Sequence, residues 1–115
     1  VTGRTVSEIA FQDAVAQYAR FQGWAVAHFR PARSRADGGW RTPVAYDARG
    51  WPDLVLVRER VLFRELKSAR GKVDADQQAW LDRLAAAGQD VGVWRPKDWG
   101  VIEATLARDF HHPTV

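Results

Sequence analysis

The 115-residue chain has no cysteine, so neither disulfides nor thiolate metal sites contribute to its fold or chemistry. It also lacks long apolar runs. The longest, such as Leu54–Val57, are far short of the ~20 residues that a membrane-spanning helix needs. The first residues hold no apolar stretch of the secretory-leader kind, and a cytoplasmic protein is the expectation. Lysine and glutamate are scarce as well: 14 Arg stand against 3 Lys, and 10 Asp against 4 Glu. Glu65-Leu66-Lys67 sets one of each scarce type two residues apart, although Lys72 and Lys97 show no comparable placement.

What is present is ordinary for a globular protein. Hydrophobic residues make up 46% and charged ones 27%, a balance that argues against wholesale disorder. The length suits one domain over 1–115 with a single core. Net charge is only +3, but Arg30, Arg33, Arg35, Arg41 and Arg49 face just Asp37 and Asp47 in one segment, a local balance of +3. A basic stretch on a near-balanced body suits a phosphate-rich partner, and it also suits a solvated loop.

Hydrophobic periodicity orders the chain. Thr5-Val6-Ser7-Glu8 has the spacing of a capping box, and Glu8, Phe11, Gln12, Val15, Ala16 and Ala19 share one face of a helix over 6–22 that Gly23 ends. Residues 24–30 alternate as a strand, with Trp24, Val26 and His28 on one side and Ala25, Ala27 and Phe29 on the other. Residues 31–50 are rich in Pro, Gly, Arg and Asp and lack periodicity, which predicts a mobile basic loop. Leu54–Val57 and Val61–Lys67 read as strands joined by a short Arg58-Glu59-Arg60 turn. Asp74 to Gln77 resembles a second capping box, opening a helix whose Gln77, Trp80, Leu81 and Leu84 share a face up to Gly88. Val91–Trp94 reads as a strand in a β-α-β crossover, Asp98 as the cap of a last helix to about Arg108, and 110–115 as a loose tail. The expected class is α/β, a mixed β-sheet flanked by helices in the order α-β-β-β-α-β-α.

Chemistry concentrates around the second and third strands. Glu65 and Lys67, two apart on a strand, project to the same side, while Leu62, Arg64 and Leu66 take the other. Asp53 enters the preceding strand behind Pro52, which fixes φ. If the two strands form a hairpin, residues near Asp53 lie across from residues near Glu65. Two carboxylates and an ammonium at one sheet end suit metal-assisted phosphodiester hydrolysis. Asp53 and Glu65, with the Leu66 carbonyl, offer oxygen ligands to Mg²⁺ or Mn²⁺, and Lys67 can stabilise developing negative charge. The same residue types also occur as turn formers and as cross-strand ion pairs on solvated faces.

A wider set of residues carries a resemblance. Glu8, Gly23-Trp24, His28, Gly50-Trp51-Pro52-Asp53, Glu65-Leu66-Lys67 and Gln77-x-x-Trp80-Leu81, in that order, resemble the VRR-NUC (virus-type replication-repair nuclease) family. That family belongs to the PD-(D/E)xK superfamily and is similar to Holliday-junction resolvases. The likeness runs from about Thr5 to Leu106. It implies a restriction-endonuclease-like sheet, with Asp53 and Glu65 as metal ligands and Lys67 as the catalytic lysine. Gln77 would assist around the scissile phosphate, and Glu8 would add a carboxylate from the first helix. Glu8 and Gln77 also sit where each can close a helix N-terminus, and one side chain is not expected to make both contacts well.

The implied activity is metal-dependent DNA endonuclease, selective for branched or flapped DNA and working as a homodimer, with the Arg30–Arg49 loop tracking phosphates. A sequence-specific or nicking endonuclease on the same fold and a catalytically silent DNA-binding module are the competing readings. His28 is read either as a cleft residue or as a half-buried structural histidine. Trp40 and Trp51 are candidates for stacking on exposed bases, whereas Trp24, Trp80 and Trp94 are expected in the core. His111-His112 has metal-ligand chemistry without companions and reads as tail.

Overall fold

The stripe Phe11, Val15 and Ala19 is fully or almost fully buried, and it fixes which face of the first helix meets the sheet. A computed structural model of the chain describes residues 6–29 and 46–108, with the backbone of two short strands at 32–33 and 40–41. The elements run α1 (Val6–Phe21), β1 (Ala25–His28), β2 (Ala32–Arg33), β3 (Trp40–Arg41), β4 (Leu54–Val57), β5 (Val61–Leu66), α2 (Ala75–Ala86), β6 (Asp90–Trp94), a 3-10 turn (Pro96–Asp98) and α3 (Trp99–Leu106). Thr5, the candidate cap of α1, lies outside the described residues, as do Arg30, Arg35, His111 and His112.

One four-stranded sheet runs β1-β4-β5-β6. The β1–β4 and β4–β5 pairs are antiparallel, and β5–β6 is parallel across the α2 crossover. The predicted α/β class, the mixed sheet and the order of its main elements are all found. Two short strands were not expected: Ala32 pairs with Arg41 and Arg33 with Trp40 in a separate antiparallel ladder. Strands of two residues are too short to carry a periodic signal.

Alternation along β4 and β5 builds two layers. Leu54, Leu56, Leu62 and Leu66 turn to one face, where Phe11, Val15, Ala19, Trp24, Trp94, Ile102 and Leu106 complete a buried core under α1 and α3. Fully burying a leucine contributes about 1.5–3 kcal/mol, so this face anchors the sheet. The opposite face takes α2. There Trp51 meets Phe63 and Trp80 edge-on, at centroid distances of 5.8 and 5.0 Å. Trp80 is therefore half-buried in this second cluster rather than in the main core expected for it; its indole N–H donates to the Asp47 carbonyl.

The hairpin end is closed by cations. Arg58 lies over the Trp24 ring, and its Nη1 donates to the carbonyls of Gln22 and Leu106, tying the ends of α1 and α3 to the β4–β5 turn. Arg64 is buried across from Leu54 over Trp94, where Asp90 pairs with it at 2.7 Å. Asp98 behaves differently from the expectation. Its Oδ2 accepts from the Arg95 N–H, closing the 3-10 turn behind it, and makes no forward cap on α3. Asp98 immediately precedes α3, but its carboxylate is engaged on the turn behind it.

Candidate active site

Register places the first two candidate residues. Leu54 pairs with Arg64, so the next residues outward, Asp53 and Glu65, oppose one another. Both stand on the face away from Leu54, the one covered by α2. They are deeply buried, Asp53 at 6% and Glu65 at 1% exposure. Asp53 Oδ2 accepts a 2.9 Å hydrogen bond from the Leu66 N–H, which locks the aspartate across the hairpin.

Lys67 leaves the end of β5, where its own N–H donates to the Trp94 carbonyl and continues the parallel ladder. Its Nζ lies 3.5 Å from Glu65 Oε2, with the side chain 17% exposed. The ammonium thus sits between a buried carboxylate and solvent.

Gln77 reaches the same carboxylate from α2. Its Nε2 donates to Glu65 Oε2 at 2.9 Å, while its Oε1 accepts from the Asp74 N–H at 2.9 Å. Asp74 Oδ1 in turn accepts from the Gln77 N–H at 2.8 Å, completing a capping box. Gln77 makes both contacts at 2.9 Å, contrary to the expectation that one side chain would not make both well. An amide has two ends, and each serves one partner.

Gly50 makes this meeting possible. It adopts φ +86, and a Cβ there would lie 2.5 Å from the Asp76 carbonyl carbon and 2.7 Å from the Gln77 nitrogen. Only glycine lets the Trp51-Pro52-Asp53 entry press against the first turn of α2.

Glu8 comes from the opposite layer. It is half-buried on the α1 stripe that includes Phe11 and Val15. Because the chain reverses at Gly23, the start of α1 lies at the same sheet end as the close of β1 and Asp53. Among the described residues, no group of three or more His, Asp or Glu is placed to hold a metal ion. His28 pairs with Leu54, so alternation puts it on the α1 face, half-buried and opposite to Asp53 and Glu65. Trp51 packs into the Phe63–Trp80 cluster described above. Of the basic candidates, Arg49 is exposed; Arg33 and Arg41 are described only as backbone of β2 and β3.

Two residue groups escaped the sequence reading. Arg95 Nη1 donates to the carbonyls of Ser68 at 2.8 Å and Gly71 at 2.6 Å, bracing the loop that follows Lys67. That loop exposes Arg70 and Lys72 beside the site. The cationic spacing Lys67, Arg70, Lys72 was a signal in the sequence; nothing marked Arg95.

The donor set suits a hard divalent cation. Two buried carboxylates stand on adjacent strand ends, one of them 3.5 Å from the Lys67 ammonium, and carboxylate oxygens are the ligands Mg²⁺ prefers.

Residues 45–98 match the family model described as the VRR-NUC domain, a span that holds Asp53, Glu65, Lys67 and Gln77. A solved structure described as a VRR_NUC domain aligns with TM-score 0.63 and 20% sequence identity, covering 88% of this chain and 97% of that one. At that identity the likeness establishes the fold. A comparison with curated proteins finds no match. Over residues 45–98 the chain is similar to the VRR-NUC domain, and it shares the fold of a solved structure described as a VRR_NUC domain.

Proposed function

We propose that the chain is a divalent-metal-dependent DNA endonuclease that hydrolyses phosphodiester bonds in branched or flapped DNA. The observation that carries this reading is the single constellation at the end of the β4–β5 hairpin. Asp53 opposes Glu65, and Glu65 Oε2 meets both Lys67 Nζ at 3.5 Å and Gln77 Nε2 at 2.9 Å.

Asp53 and Glu65, with the Leu66 carbonyl, would hold Mg²⁺ or Mn²⁺. Bound there, such an ion supplies Lewis acidity, drawing charge from the phosphate and favouring deprotonation of the attacking water. Lys67 offers its ammonium to the negative charge that grows on the phosphate in the transition state. Gln77 fixes the Glu65 carboxylate, and the Leu66 N–H fixes Asp53, so neither ligand needs to reorganise during reaction. Glu8 adds an auxiliary carboxylate from the α1 layer. Arg30, Arg33, Arg35, Arg41 and Arg49 track the phosphates of the DNA, as do the exposed Arg70 and Lys72 that follow Lys67 in the chain. Affinity then falls as salt rises.

The homodimer and the branched substrate follow the family's likeness to junction resolvases. A silent DNA-binding module is disfavoured, because two buried carboxylates repel phosphate unless a cation lies between them.

A panel of four-way-junction, flap, single-stranded and linear duplex DNA, each with Mg²⁺, Mn²⁺ or EDTA, tests the reading. Metal-dependent cutting concentrated on branched substrates is expected. Binding without cutting would establish the silent module, and equal cutting of all four would reject structure selectivity.

A further inference from the structure

Beside Asp53 stands a side chain that the hydrolytic chemistry does not use. The Phe29 N–H donates to the Asp53 carbonyl at 3.0 Å, one step beyond the last β1–β4 pair, His28 with Leu54. Phe29 therefore opposes Asp53 as Asp53 opposes Glu65. Alternation puts its ring on the face of Ala25 and Ala27, away from His28 and on the same face as both carboxylates. Phe29, Asp53 and Glu65 form one row across three neighbouring strands, with about 4.8 Å between strands.

The ring is 46% exposed. Its neighbours along that face of β1, Ala27 and Ala25, are exposed and small, so no bulky side chain of its own strand screens it. Single exposed apolar residues are ordinary on protein surfaces. Phe29 differs in position, because it is one strand away from a carboxylate assigned to the scissile phosphate.

A phosphate at Asp53 and Glu65 brings a nucleoside on each side, and Phe29 is placed to meet one that lies over the neighbouring strand. Phe29 offers that nucleoside no charge and no hydrogen-bond donor or acceptor. It offers a flat apolar ring, which complements a base face or the sugar beside it. In a continuous duplex each base face is already covered by its neighbours. A base free to meet the ring is unstacked, as at a flap, a branch point or a frayed end.

We propose that Phe29 stacks on an unpaired nucleobase adjoining the scissile phosphate, so that the site takes DNA only where a nucleotide beside the cut has left the helical stack. This deepens the nuclease reading and rests on it. Phe29 is a specificity residue here, and it takes no part in bond breaking.

The test pairs protein and substrate changes. Once the cut on a flap or junction is mapped, each flanking nucleotide is replaced in turn by an abasic analogue or by 2-aminopurine. Phe29→Ala and Phe29→Leu should each lower kcat/KM on the flap by about tenfold or more, the range of base–aromatic stacking. Phe29→Trp should retain the wild-type value. The abasic substitution should cost the wild-type chain a similar factor and leave Phe29→Ala almost unaffected. With Mg²⁺ in the slow-cutting Lys67→Ala background, 2-aminopurine at that position should be quenched where Phe29 is present and not where Phe29→Ala is added. Equal activity of Phe29→Leu and wild type, or additive losses from Phe29→Ala and the abasic site, would overturn the stacking contact while leaving cleavage intact. Absence of metal-dependent cleavage overturns the nuclease reading instead, and the 2-aminopurine signal on the uncut flap still decides for or against the contact.

Discussion

Gln77 Nε2 donates to Glu65 Oε2 at 2.9 Å while Gln77 Oε1 accepts from the Asp74 N–H at the same distance. One amide therefore couples the start of α2 to a buried carboxylate on β5. The helix cap is thus joined to the candidate site, and loss of either contact should be felt in the other.

Substitution separates the two ends of that amide. Gln77→Ala removes both contacts and should cost about 1 kcal/mol of stability through the cap, with reduced cleavage. Gln77→Glu keeps an acceptor for the Asp74 N–H but sets a second carboxylate against Glu65. Urea-unfolding midpoints should show Gln77→Ala as the one that loses the cap, whereas cleavage rates should fall further in Gln77→Glu.

Two glycines with similar backbone conformation make a controlled pair. Gly50 and Gly88 have φ of +86 and +83, but a Cβ at Gly50 would strike Asp76 backbone atoms whereas nothing lies within 4 Å of one at Gly88. Gly88→Ala should cost only the left-handed conformation, about 1 kcal/mol. Gly50→Ala should cost about 2 kcal/mol or more, since the steric clash adds to the same conformational strain. It should also depress cleavage, because the Asp53 entry would be pushed from α2. Thermal or denaturant unfolding of the two variants checks the order.

The hairpin turn carries a pH signature. Its hydrogen bond with Arg58 holds the Glu59 carboxyl down to about 2 from its usual 4.5. A carboxyl with a depressed folded-state pKa stabilises the fold above its unfolded pKa and loses that contribution as pH falls through the folded value. Wild type should exceed Glu59→Gln in denaturation midpoint above about pH 4.5, and the two should converge as pH falls toward 2. The difference should shrink with added salt, since the group is exposed.

Ion binding is expected to show in stability as well as in activity. With Mn²⁺ or Mg²⁺ at a hundredfold excess over Kd, the folded chain should gain about 2.7 kcal/mol. Asp53→Asn can still accept from the Leu66 N–H through its amide oxygen but loses the charge, so its unfolding midpoint should no longer respond to the ion. A metal response equal to that of wild type would remove Asp53 from the binding site.

Much of this arrangement was legible in the sequence. The strand at Leu54–Val57 showed as a continuous apolar run and that at Val61–Leu66 by alternation, and the short turn between them pointed to a hairpin that brings the neighbourhood of Asp53 across from that of Glu65. The stripe through Phe11, Val15 and Ala19 likewise gave α1 its buried face. The rest depended on tertiary contact. Spacing alone could not reveal that Gln77 serves two partners, because its second partner lies on another element. The β2–β3 ladder has too few residues for a period, and Trp80 was assigned to the main core because helix periodicity does not say which side of a sheet a helix covers. Arg95, which braces the loop after Lys67 through two carbonyls, had no local sequence cue at all.

The central claim is that the Asp53, Glu65 and Lys67 constellation hydrolyses DNA with a divalent cation. Its most direct test is the rate of cleavage of a labelled junction or flap in Mg²⁺ by wild type and by Lys67→Ala, with circular dichroism verifying that the variant is folded. The account predicts cutting that EDTA abolishes and that Lys67→Ala slows by about a hundredfold or more. Cleavage by a folded Lys67→Ala at the wild-type rate, or no metal-dependent cleavage by the wild-type chain, would contradict it.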